Sequence, residues 1–434
     1  MSDHVIVVDL GYGDSGKGTV VDWLCSAGAA RAVVRFNGGA QAAHNVVTPG
    51  GRHHTFAQFG SGMFTPGVRT HLSRFMLVDP LALAAEAAHL ESVGVPGPLD
   101  RLTVDPDALL TTPYHRAANQ ARELARPAGG RHGSCGMGIG ETARYALEHP
   151  AQAPRAGDCT APRTLAAKLG LLRDWLAAQI GEMNAERAGN VAAVPPVDAI
   201  CAAYRAFAGR VTLAGGDYLA GLLRDGPVAF EGAQGVLLDE RHGFHPYTTW
   251  SNTTFGNALE LLAEAGASAV RLGVTRCYQT RHGPGPLVTE DPTLELADRH
   301  NVGNRWQGPF RVGHFDAVAL RYAIGAAGGI DEIALTHLDA ASLAPLRACE
   351  SYLADGAPLA ALPLCRDRDL ARQERLTRLL LRAAPGRTRQ VDDWPGYVSD
   401  ALRAPVTLLS AGPTSADKVS LRRARDAGLY AGRA

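Results

Sequence analysis

Short runs of apolar, often β-branched residues recur along the chain and predict buried β-strands. The first run, residues 5–10, leads into a glycine-rich turn at residues 11–18, and Val20, Val21 and Leu24 then follow at helical spacing. A strand, a loop and a helix are therefore predicted in that order. The other predicted strands are residues 32–36, 228–230, 269–274, 332–336 and 406–410.

Amphipathic helices are predicted between these strands. The clearest one covers residues 165–180, where leucines and one isoleucine recur every three or four positions. Strands that alternate with helices indicate an α/β fold with a large, mostly parallel central sheet and helices on both faces. Glycine-rich or polar clusters follow several of the strands. Because ligands bind beyond the carboxyl ends of such strands, we expect one site at that edge.

The chain length bears on the domain organisation. At 434 residues the chain exceeds the usual size of one domain, yet it contains no long linker and no internal repeat. We therefore predict a single domain over residues 1–434 with largely helical insertions at about residues 80–225 and 340–400.

Composition and charge limit the possible partners. A hydrophobic fraction of 46% with 20% charged residues is typical of a globular chain. The 43 basic residues balance the 43 acidic ones, so no overall field attracts nucleic acid or an anionic membrane. The seven cysteines are scattered, and we find neither a signal peptide nor a membrane-spanning segment. We expect a soluble, cytoplasmic protein that holds phosphate groups at a local site.

The glycine-rich turn has the spacing of a phosphate-binding P-loop, with Gly11, four residues, Gly16 and Lys17. Glycines let backbone N–H groups approach phosphate oxygens, and Lys17 brings positive charge to them at a helix start. Gly18 stands where a P-loop has Ser or Thr to hold magnesium, so either the metal is held differently or the match is accidental. Asp14 would be repelled by a polyphosphate, which favours a role as metal ligand or proton acceptor.

Several motifs, in order over most of the chain, resemble those of adenylosuccinate synthetases. Residues 13–18 read G-D-S-G-K-G and resemble the family's G-D-E-G-K-G. The further motifs are V-R-F-N-G-G-A-Q-A-A-H at residues 34–44, F-E-G-A-Q-G-V-L-L-D at 230–239, S-N-T-T at 251–254, and T-R-H-G-P-G-P at 280–286. Together these motifs are far more specific for the family than any one of them alone.

The resemblance implies a ligase that uses GTP to phosphorylate the 6-oxygen of inosine monophosphate (IMP). The amine of aspartate then displaces the phosphate to give adenylosuccinate, GDP and phosphate. Asp14 matches the aspartate that removes the N1 proton of IMP, and His44 matches the histidine that protonates the phosphoryl oxygen. Lys17 would neutralise charge on the phosphates during transfer.

The same resemblance implies the other ligand contacts. The residues implied for GTP are Gly13, Ser15, Gly16, Lys17, Gly18, Thr19, His337, Asp339, Ser410 and Gly412. Those implied for the nucleotide substrate are Asp14, Gln41, Ser134, Cys135, Gln234 and Thr249. Arg311 is implied for the amino acid, and Asp14 with the backbone oxygen of Ala43 for Mg²⁺. Asp339 can accept hydrogen bonds from guanine N1 and the 2-amino group, which adenine cannot offer. The resemblance also implies a homodimer with a shared site.

Departures from the family pattern fall together at substrate-facing positions. Gln41 replaces an asparagine, Ala43 a glycine and Cys135 a threonine, and His337 replaces a lysine expected against the guanine base. The segment 305–316 lacks the threonines and one arginine of the aspartate-binding loop. Pro or Phe cannot replace bidentate recognition of a carboxylate by arginine. One hypothesis is therefore a specialised paralogue, for instance in biosynthesis of a purine-like nucleoside, with an altered nucleotide, amine donor or both.

Two further alternatives belong to other functional classes. A GTP-binding decoy would have lost turnover, although Asp14, Lys17 and His44 together argue against it because a pure binder needs no base, phosphate clamp and acid. A simple P-loop kinase would release a stable phosphorylated product and would require no amine.

Overall fold

The computed structural model describes residues 4–126, 133–183, 194–296, 306, 308–365 and 369–421. Its helices are α1 (Lys17–Ser26), α2 (Pro80–Ser92), α3 (Pro113–Ala125), α4 (Ile139–Glu148), α5 (Pro162–Met183), α6 (Val197–Ala208), α7 (Gly216–Asp225), α8 (Gly256–Glu264), α9 (Ala317–Ala326), α10 (Ala340–Leu343), α11 (Leu370–Leu380) and α12 (Trp394–Leu402). Single 3₁₀ turns cover Pro98–Arg101, Ala156–Thr160, Val236–Leu238 and Ser415–Asp417.

The first ten strands are short, with two to four residues each, except β1 with 6 and β10 with 8. They are β1 (His4–Asp9), β2 (Ala32–Arg35), β3 (His44–Val47), β4 (His53–Phe56), β5 (Arg69–Leu72), β6 (Leu77–Val78), β7 (Leu102–Val104), β8 (Leu109–Leu110), β9 (Thr212–Leu213) and β10 (Val228–Gly235). Those of the second half are β11 (Ala269–Arg276), β12 (Tyr278–His282), β13 (Phe310–Asp316), β14 (Glu332–Thr336), β15 (Arg347–Cys349), β16 (Tyr352–Ala354), β17 (Ala357–Leu359), β18 (Ala384–Pro385), β19 (Thr388–Gln390), β20 (Val406–Ser410) and β21 (Lys418–Ser420).

A ten-stranded sheet forms the centre of the fold, in the order β21-β20-β14-β11-β1-β10-β2-β5-β7-β9. Every neighbouring pair is parallel except β20 with β21. The predicted α/β class is confirmed, and so are the six predicted strands, to within a few residues at their ends. Smaller sheets, β12-β13-β15-β19, β17-β16-β18, β3-β4 and β6-β8, surround it.

Alternate residues of β1 pack into different cores, as expected when a strand is buried on both faces. Ile6 and Val8 join the core that includes α8 and α9, whereas Val5 and Val7 join the core on the opposite face, with α1. Helices therefore cover both faces of the central sheet.

A third core lies in the helical part of the chain. Leu165, Leu169, Leu172, Leu176 and Ile180 of α5 are 0–1% exposed and pack with apolar residues of α2, α3 and α6. The helix predicted at residues 165–180 is thus confirmed, on the predicted face.

The structure bears on the predicted domain organisation at the first insertion. The short strands β7 and β9 lie within residues 80–225 but extend the central sheet, so that region is not purely helical. The division into one domain with two insertions stays a prediction.

Across the described residues, every helix is too short or too polar to cross a membrane.

Candidate active site

The candidate site lies at the carboxyl edge of the central sheet. The glycine-rich loop follows β1, the turn at Gly38 and Gly39 follows β2, and Gly235 ends β10. Since these strands are parallel, their carboxyl ends meet at the same edge. A Cβ placed on Gly235 would lie 2.2 Å from the carbonyl oxygen of Gly11, so the absence of a side chain lets the two loops touch.

The glycine-rich loop is organised by Asp9, the last residue of β1. One carboxylate oxygen of Asp9 accepts the backbone N–H of Gly11 at 2.8 Å, and the other accepts that of Ser15 at 2.9 Å. The second oxygen also lies 3.2 Å from Nζ of Lys17. Both side chains of this ion pair are almost fully buried. Sequence reasoning missed Asp9, although an acidic residue at the end of the strand before the loop was a visible signal.

Asp14 is held at both its backbone and its side chain. It has φ 61°, a conformation uncommon for a residue with a Cβ, and strain of this kind concentrates at functional sites. Its carbonyl oxygen accepts a hydrogen bond from Nε of Arg276 at 2.7 Å. Its carboxylate Oδ2 lies 3.3 Å from Nε2 of His282, and a quarter of the side chain is exposed. The loop therefore presents this carboxylate in a fixed place with partial access.

Burial alone would raise the pKa of the Asp14 carboxyl group. The hydrogen bond and charge of His282, together with the charges of Arg276 and Lys17, outweigh burial and lower that pKa below its ordinary value. Asp14 is thus ionised near neutral pH and able to accept a proton.

His44 begins β3 and lies directly against helix α1. A Cβ on Gly18 would be 2.7 Å from Cβ of His44 and 3.0 Å from the hydroxyl of Ser61. Nδ1 of His44 is 2.6 Å from Oε1 of Glu231, which also accepts the Ser61 hydroxyl. The contact occupies Nδ1, so Nε2 is the nitrogen left for a ligand. Glu231 and Ser61 were not predicted as site residues, although Glu231 lies inside the F-E-G-A-Q-G motif.

Glu231 is fully buried and remains ionised. Burial would raise the pKa of its carboxyl group, but the adjacent His44, the charge of Arg35 and the hydrogen bonds from His44 and Ser61 lower it to about 2. Burial in turn lowers the pKa of the His44 imidazole, in spite of its contact with Glu231. Glu231 therefore fixes the orientation of the His44 ring.

The end of β14 and the loop after it contact the glycine-rich loop, and the same loop contacts the end of β20. The hydroxyl of Thr336 donates to the carbonyl oxygen of Ser15 at 2.7 Å. Cε1 of His337 would lie 3.6 Å from a Cβ on Gly16, and His337 has φ 55°. The backbone N–H of Leu338 donates to the carbonyl oxygen of Ser410 at 3.1 Å. Three of the implied GTP segments are thus brought together, and Thr19 lies in the first turn of α1.

The remaining residues implied for GTP lie close by. Asp339 is exposed, which leaves its carboxylate open to a ligand. The carbonyl oxygen of Gly412 accepts the Ser410 hydroxyl at 3.2 Å. These positions are compatible with a guanine pocket between the two loops.

Gln41 and Gln234 face the same glycine turn. A Cβ on Gly38 would lie 3.4 Å from Nε2 of Gln41 and 3.5 Å from Oε1 of Gln234. Both amide atoms of Gln41 and Oε1 of Gln234 are buried without a hydrogen-bond partner among the described residues. Buried polar groups are nearly always paired, so these atoms indicate a polar ligand. Gln234 also has φ 57°.

Ser134, Cys135 and Thr249, also implied for the nucleotide, lie on other segments of the chain. The Ser134 hydroxyl donates to Oδ1 of Asn119 at 3.0 Å, and burial raises the pKa of the Cys135 thiol to about 11, so this cysteine is not a reactive thiolate. Thr249 is half-buried. Its neighbour Trp250 lies against Gly140 of α4. A Cβ placed on Gly140 would be 3.1 Å from Cδ1 of the Trp250 indole.

Arg311 of β13 is engaged by the chain itself. Its guanidinium forms a two-point ion pair with Glu290, with Nε at 2.8 Å from Oε1, and it also donates to the carbonyl oxygens of Gly283 and Gly285. Of the altered segment 305–316, Arg305 and Gln307 lie outside the described residues. An incoming carboxylate would therefore have to compete with Glu290 for this arginine.

The residues present fit a magnesium ion that is bound mainly through phosphate oxygens. Mg²⁺ prefers oxygen ligands and usually takes one or two protein carboxylates together with substrate phosphates. Asp14 supplies one partly exposed carboxylate in the glycine-rich loop, and Ala43 is exposed beside His44. Among the described residues, three or more side chains of His, Cys, Asp or Glu nowhere form a metal-binding cluster.

Comparison with known proteins gives the family. The adenylosuccinate synthetase family matches residues 6–386. The chain belongs to this family. An adenylosuccinate synthetase of Pseudomonas putida is 34% identical over 443 residues, which cover 97% of this chain and 99% of that protein. The chloroplastic adenylosuccinate synthetase 1 of Ricinus communis is 32% identical over 451 residues, with the same coverage of 97% and 99%.

Two solved structures share the fold. The fully ligated adenylosuccinate synthetase of Plasmodium falciparum matches with a TM-score of 0.77 at 21% identity, covering 96% of this chain and 100% of that one. The succinoaminodeoxyadenylate synthetase of cyanophage S-2L, bound to dGMP and dATP, matches with a TM-score of 0.59 at 20% identity over 99% of both chains. As a member of the adenylosuccinate synthetase family, the chain is a GTP-dependent ligase that forms a C–N bond in purine biosynthesis.

Proposed function

We propose that the chain carries out the family reaction on IMP or a close analogue, with Asp14 as the base. The observation that supports this most strongly is an ionised carboxylate held inside the glycine-rich loop, which leads directly into Lys17 and into Gly18, the residue that packs against His44. Asp14 would take the N1 proton, and the electron pair of the broken N1–H bond would make the 6-oxygen nucleophilic. That oxygen would attack the γ-phosphorus of GTP, and GDP would leave.

Lys17 and His44 would then stabilise the transferred phosphoryl group. Lys17 would place positive charge beside the phosphate oxygens. His44 would act in its imidazolium form, with Nδ1–H on Glu231, and would donate the Nε2 proton to the transferring or leaving phosphoryl oxygen. The amine of aspartate would attack C6 and lose a proton, and inorganic phosphate would leave. Bound Mg²⁺ would neutralise charge on the GTP phosphates, with Asp14 and the backbone oxygen of Ala43 as its protein ligands.

The ligand contacts belong to the same proposal. Asp339 would select guanine by accepting its N1–H and 2-amino hydrogens, with Ser410 and Gly412 closing the pocket. Gln41, Gln234, Ser134, Cys135 and Thr249 would hold the nucleotide, and Arg311 would hold the amino acid. We also propose a cytoplasmic homodimer. The seven unpaired cysteines favour a reducing compartment, and the family resemblance favours the dimer.

The test is phosphate release with GTP, Mg²⁺ and aspartate over a panel of purine-type monophosphates. We expect release that requires both the nucleotide and the amine, and a loss of about 10²- to 10⁴-fold in Asp14→Asn. A stable phosphorylated nucleotide without any amine would indicate a kinase instead. Tight GTP binding without turnover in any combination would indicate a decoy, and unchanged turnover in Asp14→Asn would refute the role of Asp14.

The ion pair of Arg311 with Glu290 favours a second candidate, in which the amine donor is not aspartate. An arginine already satisfied by an internal carboxylate has little capacity left for a substrate carboxylate. A panel of aspartate, amino acids with a single carboxylate and ammonia separates the two candidates. A KM for aspartate below that for every other amine of the panel would support the family reaction. Preferred turnover of another amine would support a specialised paralogue.

A further inference from the structure

His282 is a side chain to which the motif comparison assigns no role, because it fills the variable third position of T-R-x-G-x-G-P. It is the last residue of β12 and pairs with Phe310 of β13. Its ring packs against the Phe310 ring, with 4.9 Å between centroids and a tilt of 53°. The end of a strand and a neighbouring aromatic ring therefore limit how His282 can move.

His282 meets Asp14 at one carboxylate oxygen. Its Nε2 lies 3.3 Å from Oδ2 of Asp14, and the two side chains are 19% and 25% exposed. This contact takes Oδ2, so Oδ1 is the oxygen left for the substrate. A carboxylate turns about its χ angles unless a partner fixes it, and the flexible group here is the proposed base.

The backbone of Asp14 is fixed from β11, the strand that precedes β12 in the chain. Arg276 at the end of β11 donates to the Asp14 carbonyl oxygen, and Nη1 of Arg276 is 2.5 Å from the hydroxyl of Tyr278 in β12. Arg276 thus holds the main chain of a residue with positive φ, while His282 holds its carboxylate. Two partners from consecutive strands therefore fix both the backbone and the carboxylate of Asp14.

From this geometry we infer that His282 is a positioning residue, whose Nε2–H holds Oδ2 of Asp14 so that Oδ1 faces N1 of the purine ring. The inference rests on the proposed function of Asp14 as the base. Its physical basis is orientation, since a displacement of about 1 Å in a reacting group can reduce a rate by about 10²-fold. The role requires an N–H donor at this point and does not require a charge.

Two substitutions separate a donor from mere packing. His282→Leu fills similar space without any donor, whereas His282→Gln keeps an N–H group on a side chain of similar reach. We expect kcat of His282→Leu to fall by about 10- to 100-fold, with KM for GTP changing less than about twofold. His282→Gln should recover most of that loss.

The matched control is His54→Leu. His54 in β4 makes a contact of the same kind, with Nε2 at 3.6 Å from Oε1 of Glu86, and neither residue belongs to the proposed site. We expect its kcat to stay within about twofold of the wild type. Similar loss in His54→Leu, or equal loss in His282→Leu and His282→Gln, would overturn the inference.

Crystal structures of the wild type and both His282 variants test the inference without any assay. The Asp14 carboxylate should turn away from its wild-type position in His282→Leu and keep it in His282→Gln. An unmoved Asp14 in His282→Leu would refute positioning by His282 whatever the substrate is. Absence of turnover in the wild type would instead count against the proposed function, so the two failures are distinguishable.

Discussion

Gly18 stands where a P-loop usually carries Ser or Thr, and His44 accounts for the difference. The side chain that would hold magnesium in a P-loop is excluded here because His44 and Ser61 fill its space. The departure visible in the sequence is therefore a packing requirement, and it links helix α1 to the proposed acid.

Restoring the P-loop residue should be harmful. In Gly18→Ser the new Cβ would lie 2.7 Å from Cβ of His44, so His44 must move. We expect the free energy of unfolding to fall by about 1–3 kcal/mol and kcat by at least about tenfold. Gly221→Ser in α7 is the control, because nothing lies within 4 Å of its Cβ position. Unchanged kcat in Gly18→Ser would contradict this account.

Glu231 should stabilise the fold in a pH-dependent manner. A carboxyl group whose pKa is lowered from 4.5 to about 2 stabilises the folded state above pH 4.5, and this contribution disappears as the pH falls towards 2. Glu231→Gln should therefore lower the free energy of unfolding by about 1–3 kcal/mol at pH 7, because it weakens the buried hydrogen bonds to His44 and Ser61, and by progressively less below pH 4.5. Urea denaturation at several pH values measures the difference. Glu264→Gln, whose side chain is 55% exposed, should change it by less than about 1 kcal/mol at any pH.

At the scale of elements, the site is a set of loops that follow parallel strands, and β1 contributes most to it. Its last residue, Asp9, satisfies two backbone N–H groups of the glycine-rich loop and pairs with the first residue of α1. The strand, the loop and the helix are therefore joined by one buried carboxylate.

Removing the charge of Asp9 should weaken that junction. In Asp9→Asn the ammonium group of Lys17 loses its ionised partner while buried, and such losses cost about 3–5 kcal/mol. The matched control is Asp225→Asn, which removes an exposed ion pair with Arg69 and should cost less than about 1 kcal/mol. Equal effects in urea denaturation would show that Asp9 is not the organising group.

For the whole molecule, the helical core is distinct from the two cores that flank the central sheet. Leu172 of α5 is fully buried in this helical core, whereas its neighbour Leu171 is 51% exposed. The elements proposed to bind GTP belong to the central sheet, so the two parts can be perturbed separately.

Leu172→Ala should lower the free energy of unfolding by about 2–5 kcal/mol, because it leaves a cavity in a packed core. Leu171→Ala should lower it by less than about 1 kcal/mol. At a temperature where both variants are folded, the Kd for GTP should be unchanged. A higher Kd for GTP in Leu172→Ala alone would mean that the helical core supports the GTP site directly.

The sequence by itself determined six of the ten strands of the central sheet, helix α5, the fold class and the glycine-rich loop between β1 and α1. These follow from local periodicity and from glycine spacing, which need no knowledge of distant contacts. Sequence reasoning did not find Ser61, Glu231, Arg276 or His282 as partners of the site residues, and only the tertiary structure decided those pairs. Ser61 lies 170 positions from Glu231 along the chain, and His44 lies 187 positions from it. They meet because β2 and β10 are neighbours in the sheet. Strand order is set by long-range packing, and no local pattern along the chain encodes it.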